Sequence, residues 1–242
     1  MRQERHNYNR VLLKISGEGF CNPEEGFGLD IEHVRFLANE VAECVRTGKE
    51  VAVVIGGGNF IRGAIASEKS GLGRASADYM GMLATIINGM ALQDILEALD
   101  IETRLMSALD ANDVAEPFIR RRCTRHLEKG RIVILVGGTG NPYFTTDTQA
   151  ALRASEIKAD VLIKATKVDG VYSDDPVKNP DAKRFETISY DEVLEQKLRI
   201  MDSSAIDLCQ KNGIPVIVFC MRDKGNLLHA LSGEKIGTLI SS

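Results

Sequence analysis

Apolar runs of strand length alternate with helical periodicities along almost the whole chain. The runs fall at residues 11–15, 51–55, 103–106, 131–136, 161–165 and 215–219. Several are apolar at nearly every position, as in strands buried on both faces of a parallel sheet rather than half-wet antiparallel ones. Between them, apolar residues recur at helical spacing over residues 31–47, 75–99, 117–129, 146–157, 203–212 and 225–231. Gly48, Gly130 and Gly213 follow three of these segments as helix C-caps. The alternation predicts an α/β fold, a three-layer α/β/α sandwich around a central, mostly parallel sheet. One segment breaks the rhythm. Residues 166–189 hold Gly170, Pro176, Pro180 and five acidic residues without a clear period, and long irregular segments in compact domains are often functional.

Composition narrows the classes. With 242 residues, 44% of them hydrophobic, the chain can bury one substantial core. No repeat or low-complexity linker divides it, so residues 1–242 read as one domain. Its two lobes share the sheet, about 9–160 and about 161–242. A formal charge of -4 argues against a surface that clamps nucleic acid. The arginine-rich stretch 120–126 lacks interleaved aromatics and reads as the solvated face of an amphipathic helix. Five cysteines without a C-x-x-C pair and four histidines without metal spacing point to incidental thiols and no metal site of the chain's own. A polar opening segment and the lack of a membrane-length apolar run lead us to expect a cytoplasmic protein with no membrane partner.

The candidate chemistry lies where strands end. Gly56-Gly57-Gly58-Asn59 follows the run 51–55, and Gly137-Gly138-Thr139-Gly140-Asn141 follows 131–136. Glycine loops at the carboxyl edge of a parallel sheet present backbone N–H groups and helix N-termini to an anion, with phosphate the first choice. Lys14 ends the first strand ahead of Ser16 and Gly17, a compact cation suited to a migrating phosphoryl group, or simply a lysine snorkelling off a strand end. Arg62, about one helical turn beyond the first glycine loop, can converge on the same phosphate. Asp78 opens a long helix and suits a ribose diol or, as an alternative, the helix dipole. Thr145 and Thr146 start the helix after the second loop. Asp147 beside them repels an anion unless Lys14 or a metal ion intervenes, and is otherwise a first-turn acid. The chain contains no P-loop and no protein-kinase glycine motif.

Taken in order, Lys14-Ile15-Ser16-Gly17-Glu18, Gly26-Phe27-Gly28, Val54 to Asn59 with Arg62-Gly63, Asp78 with the stretch 80–85, Gly138 to Asp147 and Lys164 to Val171 resemble the bacterial uridylate kinases of the amino acid kinase superfamily. The likeness runs from about residue 11 to 240. It implies the amino acid kinase fold, with UMP on the first lobe and ATP on the second, and phosphoryl transfer from MgATP to UMP giving ADP and UDP. Lys14, Arg62 and Asp147 would be catalytic. Lys14, Ile15, Ser16, Gly17, Gly58, Arg62, Thr166, Tyr172 and Asp175 would bind ATP. Gly57, Asp78, Thr139, Gly140, Asn141, Pro142, Tyr143, Phe144, Thr145 and Thr146 would bind UMP. Mg2+ would arrive with ATP, leaving Asp147, Asp169 and Asp202 as structural or orienting acids rather than a metal cage. Lys164 or Lys167 could add a second cation.

The resemblance also implies GTP activation through Pro23, Glu24, Glu25, Gly26, Phe27 and Gly28, inhibition by UTP, a role in pyrimidine nucleotide synthesis, and a homohexamer with a seam along the methionine-rich helix 75–99. The segment from Glu18 to Gly28 is about one residue longer than the familiar pattern, which puts the effector response in doubt before the catalysis. Two alternatives stay beside this reading. One is another small-molecule kinase of the superfamily, acting on an amino acid or carbamate. The other is a non-catalytic nucleotide sensor on the same scaffold. A dinucleotide dehydrogenase fails for want of G-x-G-x-x-G after the first strand.

Overall fold

A computed structural model describes residues 8–61, 71–176, 178–198, 200–221 and 224–242. Among these, one sheet of nine strands runs through the molecule in the order β4-β3-β5-β2-β1-β6-β8-β9-β7. Its central strands are β1 (Arg10–Ile15), β2 (Glu50–Ile55), β3 (Thr103–Ser107), β5 (Ile132–Val136), β6 (Val161–Thr166) and β8 (Val216–Cys220). All of these pair in parallel. Their inner residues are apolar and buried because helices cover both faces.

Side chains alternate across each strand, so the two faces carry separate cores. Leu13, Ile15, Val53, Ile55 and Ile163 face helices α1 (Ile31–Arg46) and α2 (Arg74–Ala98). Leu12, Val54, Leu135 and Leu162 face α3 (Arg120–Glu128), α4 (Thr146–Ile157) and the helices that follow. Leu12 and Leu13 are both fully buried, each burial contributing about 1.5–3 kcal/mol. Lys14, next in the alternation, therefore leaves the sheet on the α4 face.

Local chemistry sets the helix starts. Asp30 caps α1 by accepting from Glu32 N at 2.9 Å and His33 N at 3.1 Å. Thr145 caps α4 by accepting from Asp147 N at 3.0 Å, and Ser189 closes a capping box on α5 (Tyr190–Glu195). Asp202 caps α6 (Ser203–Asn212), while α7 is Asn226–Leu231.

The structure departs from the sequence pattern mainly in short elements, among them the helix α5 and three strands. The helix expected from residue 117 begins at Arg120, because Glu116–Pro117 form a short strand, β4, against the end of β3. The segment 166–189 ends in a strand, β7 (Thr187–Ser189). The chain ends in β9 (Thr238–Ser241), which pairs antiparallel to β8 and parallel to β7. Among the described residues no helix is long and apolar enough to cross a membrane.

Candidate active site

The carboxyl ends of β1, β2, β5 and β6 converge, and their loops lie against one another. Gly56 N donates to Ile15 O at 2.9 Å. A Cβ added to Gly56 would stand 2.7 Å from Gly17 N, so the turn after β1 and the loop after β2 meet backbone to backbone. Side chains there would hold the amides apart. Gly137 adopts φ 77°, and a Cβ on it would press on Leu109 N at 2.9 Å, a conformation and a clearance that favour glycine.

Parallel register places Lys14 directly beside Lys164, so both ammonium groups leave the same face of the sheet. Asp147, in the first turn of α4, lies between them. Lys14 Nζ stands 2.9 Å from Oδ1, an ion pair rather than an aligned hydrogen bond. Lys164 Nζ donates to Oδ2 at 2.7 Å and also to the Ile200 carbonyl. Burial works to raise the Asp147 carboxyl, yet the charges of Lys14 and Lys164 outweigh it and hold the group below the ordinary carboxylate value. Burial lowers Lys164, helped by the like charge of Lys14 and opposed by Asp147. The cluster thus holds two cations on one anion at 9–15% side-chain exposure. It presents two ammonium groups at the sheet edge, suited to a phosphoryl group, with the Asp202 carboxylate also acting on Lys164 from behind.

Asp202 stands behind this cluster. It accepts from Ala205 N at 2.8 Å, from the Thr148 hydroxyl at 2.9 Å and from the Thr145 hydroxyl. It therefore ties the start of α4 to the start of α6. Asp169 is engaged by Arg184 at 3.0 Å and by the Tyr172 hydroxyl at 2.7 Å. Among the described residues no group of three His, Cys, Asp or Glu side chains is arranged to hold a metal.

On the other side, Asp78 in α2 accepts from Arg74 Nε at 2.9 and 3.0 Å and from the Tyr143 backbone N–H at 2.8 Å. Arg74 also lies over the Tyr143 ring, 5.7 Å from its centroid. The segment from Thr139 to Thr146 is thereby held against α2. Tyr143 and Phe144 remain 67% and 54% exposed, presenting ring faces to solvent. A cavity of about 330 Å³ opens between the two glycine loops, with Lys14, Gly57, Asp78, Thr139, Phe144 and Thr146 among its walls. Of the residues named from the sequence, Ser16, Gly17, Gly58 and Thr145 line it too. Gly140, Asn141, Pro142 and Tyr143 form the turn above it. Arg62 lies outside the described residues.

Two further cavities flank this one. Beyond Asp147 and Lys164 lies a space of about 510 Å³ walled by Val193, Leu194, Leu198, Ile200 and Met201. On the α1 face, about 430 Å³ is bounded by Ile15, Ser16, Pro23, Thr166, Lys167 and Met221. Lys167 pairs with Glu18 at 2.6 Å, not with the Asp147 cluster. Thr166 donates to Val168 O at 2.6 Å. Tyr172, three residues before Asp175 in the chain, bridges to Arg184 on the loop beyond. Gly28 N donates to Asn59 O at 3.0 Å, and Phe27 meets Phe60 edge-on at 5.9 Å. The segment from Pro23 to Gly28 thus touches the end of the first glycine loop. No sequence motif pointed to α5 or to Leu198, Ile200 and Met201, in segments too short and aperiodic to signal a cavity wall.

The sequence profile of the amino acid kinase family matches residues 9–220. This chain belongs to the amino acid kinase family. Among solved members, the UMP kinase from Bacillus anthracis is 39% identical, with a TM-score of 0.94 over 98% of this chain and 97% of that one. The UMP kinase from Ureaplasma parvum is 36% identical, TM-score 0.90, over 98% and 100%. The uridylate kinase from Archaeoglobus fulgidus is 30% identical, TM-score 0.73, over 96% and 99%. The family's central sheet, mostly parallel and flanked by helices, is the architecture described above.

Proposed function

We propose that the chain transfers the terminal phosphoryl group of MgATP to UMP, giving ADP and UDP, as an enzyme of pyrimidine nucleotide synthesis in the cytoplasm. The observation that carries this reading is the buried Lys14–Asp147–Lys164 cluster, whose Lys14 lines the cavity shared by both glycine loops while Asp147 and Lys164 line the cavity beside it. The similar proteins are named as UMP kinases, which supports the choice of acceptor.

In this reaction an oxygen of the UMP phosphate forms a bond to the γ-phosphorus as the bond from that phosphorus to the β-bridging oxygen breaks, and the leaving electrons stay on ADP. A monoester phosphate is largely dianionic near pH 7, so no general base is required. The barrier comes from repulsion between two polyanions and from their alignment. Lys14 supplies the cation that follows the migrating group, with Arg62 as a second. Asp147 aims Lys14 rather than taking a proton, because a carboxyl held below its ordinary value stays ionised. Both its oxygens are engaged by ammonium groups, so Mg2+ travels as part of the MgATP substrate on phosphate oxygens.

The acceptor assignment places the UMP ribose at Asp78, where Arg74 yields to the diol. Gly57 and Thr139, Gly140, Asn141, Pro142, Tyr143, Phe144, Thr145 and Thr146 surround base and phosphate. On the donor side, Ile15, Ser16, Gly17 and Gly58 take the ATP phosphates, and Thr166, Tyr172 and Asp175 take its nucleoside. The first lobe, about 9–160, is then the UMP half and about 161–242 the ATP half. The resemblance adds GTP activation through residues 23–28, inhibition by UTP and a homohexamer. For self-association the support is the outer face of α2, where Tyr79, Met80, Leu83, Ile87 and Met90 stand 42–53% exposed at helical spacing.

The test is ADP release with MgATP against UMP, CMP, AMP and GMP. Strong turnover with UMP and little with the others is expected. Turnover of an amino acid such as acetylglutamate in place of UMP would overturn the reading, and tight UTP binding without any turnover would point to a sensor.

A further inference from the structure

Helix α2 carries two buried polar side chains, Thr85 at 2% and Asn88 at 0% exposure, one turn apart and on one face. Neither is needed to fill the core, where apolar residues pack without the cost of desolvating polar groups. Their partners are the opening residues of the two glycine loops. Asn88 Nδ2 donates to Gly56 O at 2.8 Å and to Asn59 Oδ1 at 2.7 Å. Asn59 Nδ2 returns a bond to Asn88 Oδ1 at 3.0 Å. The Thr85 hydroxyl accepts from Gly137 N at 2.8 Å and donates to Met82 O at 2.7 Å. Between these two attachments the loop from β2 lies so close to the helix that a Cβ on Gly57 would collide with Gly81 O.

We infer that Thr85 and Asn88 are positioning residues that clamp both glycine loops to one rigid helix face and so set the separation at which donor and acceptor phosphates meet. The inference rests on the phosphoryl-transfer reading above. A helix is stiff over one turn, whereas a glycine loop on its own samples many backbone conformations. In-line transfer is lost steeply when reacting groups are misplaced by about 1 Å, a change worth up to roughly 10²-fold in rate. Two bonds from adjacent turns of one helix remove that freedom for both loops at once. A hydroxyl and an amide do so without bringing charge near the phosphates.

The test compares Thr85→Val, which keeps the shape and removes the hydroxyl, with Thr85→Ser, which restores it. Three quantities are read: hydrogen exchange over residues 137–141 in the free protein, melting temperature, and steady-state constants for UMP and MgATP. Thr85→Val should exchange at 137–141 about tenfold faster while melting within about 5 °C of wild type. Its kcat should fall about tenfold or more with both KM values within about threefold, and Thr85→Ser should return exchange and kcat to near wild type. If exchange at 137–141 is unchanged, or kcat follows only the folded fraction, the clamp is wrong. Should Thr85→Val fail to fold, Asn88→Ser carries the same test to residues 56–59, with the same two outcomes. A wild type that makes no UDP would remove the catalytic reading, while the exchange arm would still decide whether the loops are held by these side chains.

Discussion

The two ionic clusters of the site are built differently. Lys14, Asp147 and Lys164 are nearly buried, fixed by strand register and by a helix start, and each oxygen of the single carboxylate already has its cation. Arg74 and Asp78 lie one turn apart on a single helix, and the arginine is 41% exposed. The first cluster is preorganised, with charges set before any ligand arrives, as electrostatic stabilisation of a migrating group requires. The second is a rim contact in which a solvated partner can leave and hand the carboxylate to a ligand. On the proposed reading, the comparison teaches that the chemistry is placed where side chains are fixed before a ligand arrives and recognition where a solvated partner can be exchanged.

The largest expected effect breaks the buried cluster. Lys14→Ala should lower kcat by roughly 10² or more with the KM for UMP nearly unchanged, because its charge acts mainly on the migrating group. Steady-state kinetics decides this, and a change of only a fewfold would put the neutralising cation elsewhere. Asp147→Asn comes next. It leaves two ammonium groups side by side without their anion, and stability should fall by about 3 kcal/mol near neutral pH. Since the folded-state pKa lies below the ordinary value of 3.8, that contribution is present above this value and is lost as pH falls through the folded-state pKa beneath it. Denaturant titrations of both proteins should therefore show a gap at pH 7 that closes at the acid end. A gap independent of pH would mean the charge of Asp147 is not what stabilises.

The rim cluster should respond in specificity rather than in rate. Wild type should prefer UMP over dUMP by roughly tenfold or more, from charged hydrogen bonds worth about 1.5–3 kcal/mol, and Asp78→Asn should narrow that ratio. Equal ratios of kcat/KM in both proteins would move the ribose off Asp78. The smallest effect is expected from Arg74→Ala, within about 0.5 kcal/mol of wild-type stability, as for exposed pairs in general. A loss several times larger in thermal melting would show that Arg74 holds the Tyr143 segment in place, and the contrast between the clusters would weaken.

Much of this arrangement is legible in one dimension because its causes are local. Apolar runs such as 51–55 and 132–136 fit buried strands, glycines directly behind them fit close turns, and Thr145 before Asp147 fits a helix start, as found. The short strands β4, β7 and β9 were not legible, since two to four residues carry no period and their pairing depends on what lies beside them. That Lys14 could reconcile Asp147 with an anion site was legible in the sequence, but that Lys164 joins them was not. Lys14 and Lys164 are 150 residues apart in sequence, and only the register of β1 on β6 makes them neighbours. The same holds for Thr85 and Asn88, which look like any polar residues in a helix until packing turns them toward Gly137 and Gly56. Sequence alone determined the long strands and helices, the glycine loops and the list of chemical groups, because those follow from side-chain pattern and backbone sterics. Which groups share a charge, and which helix holds both loops, was decided only by the tertiary structure, because Coulomb and hydrogen-bond energies depend on distances that strand order and packing create.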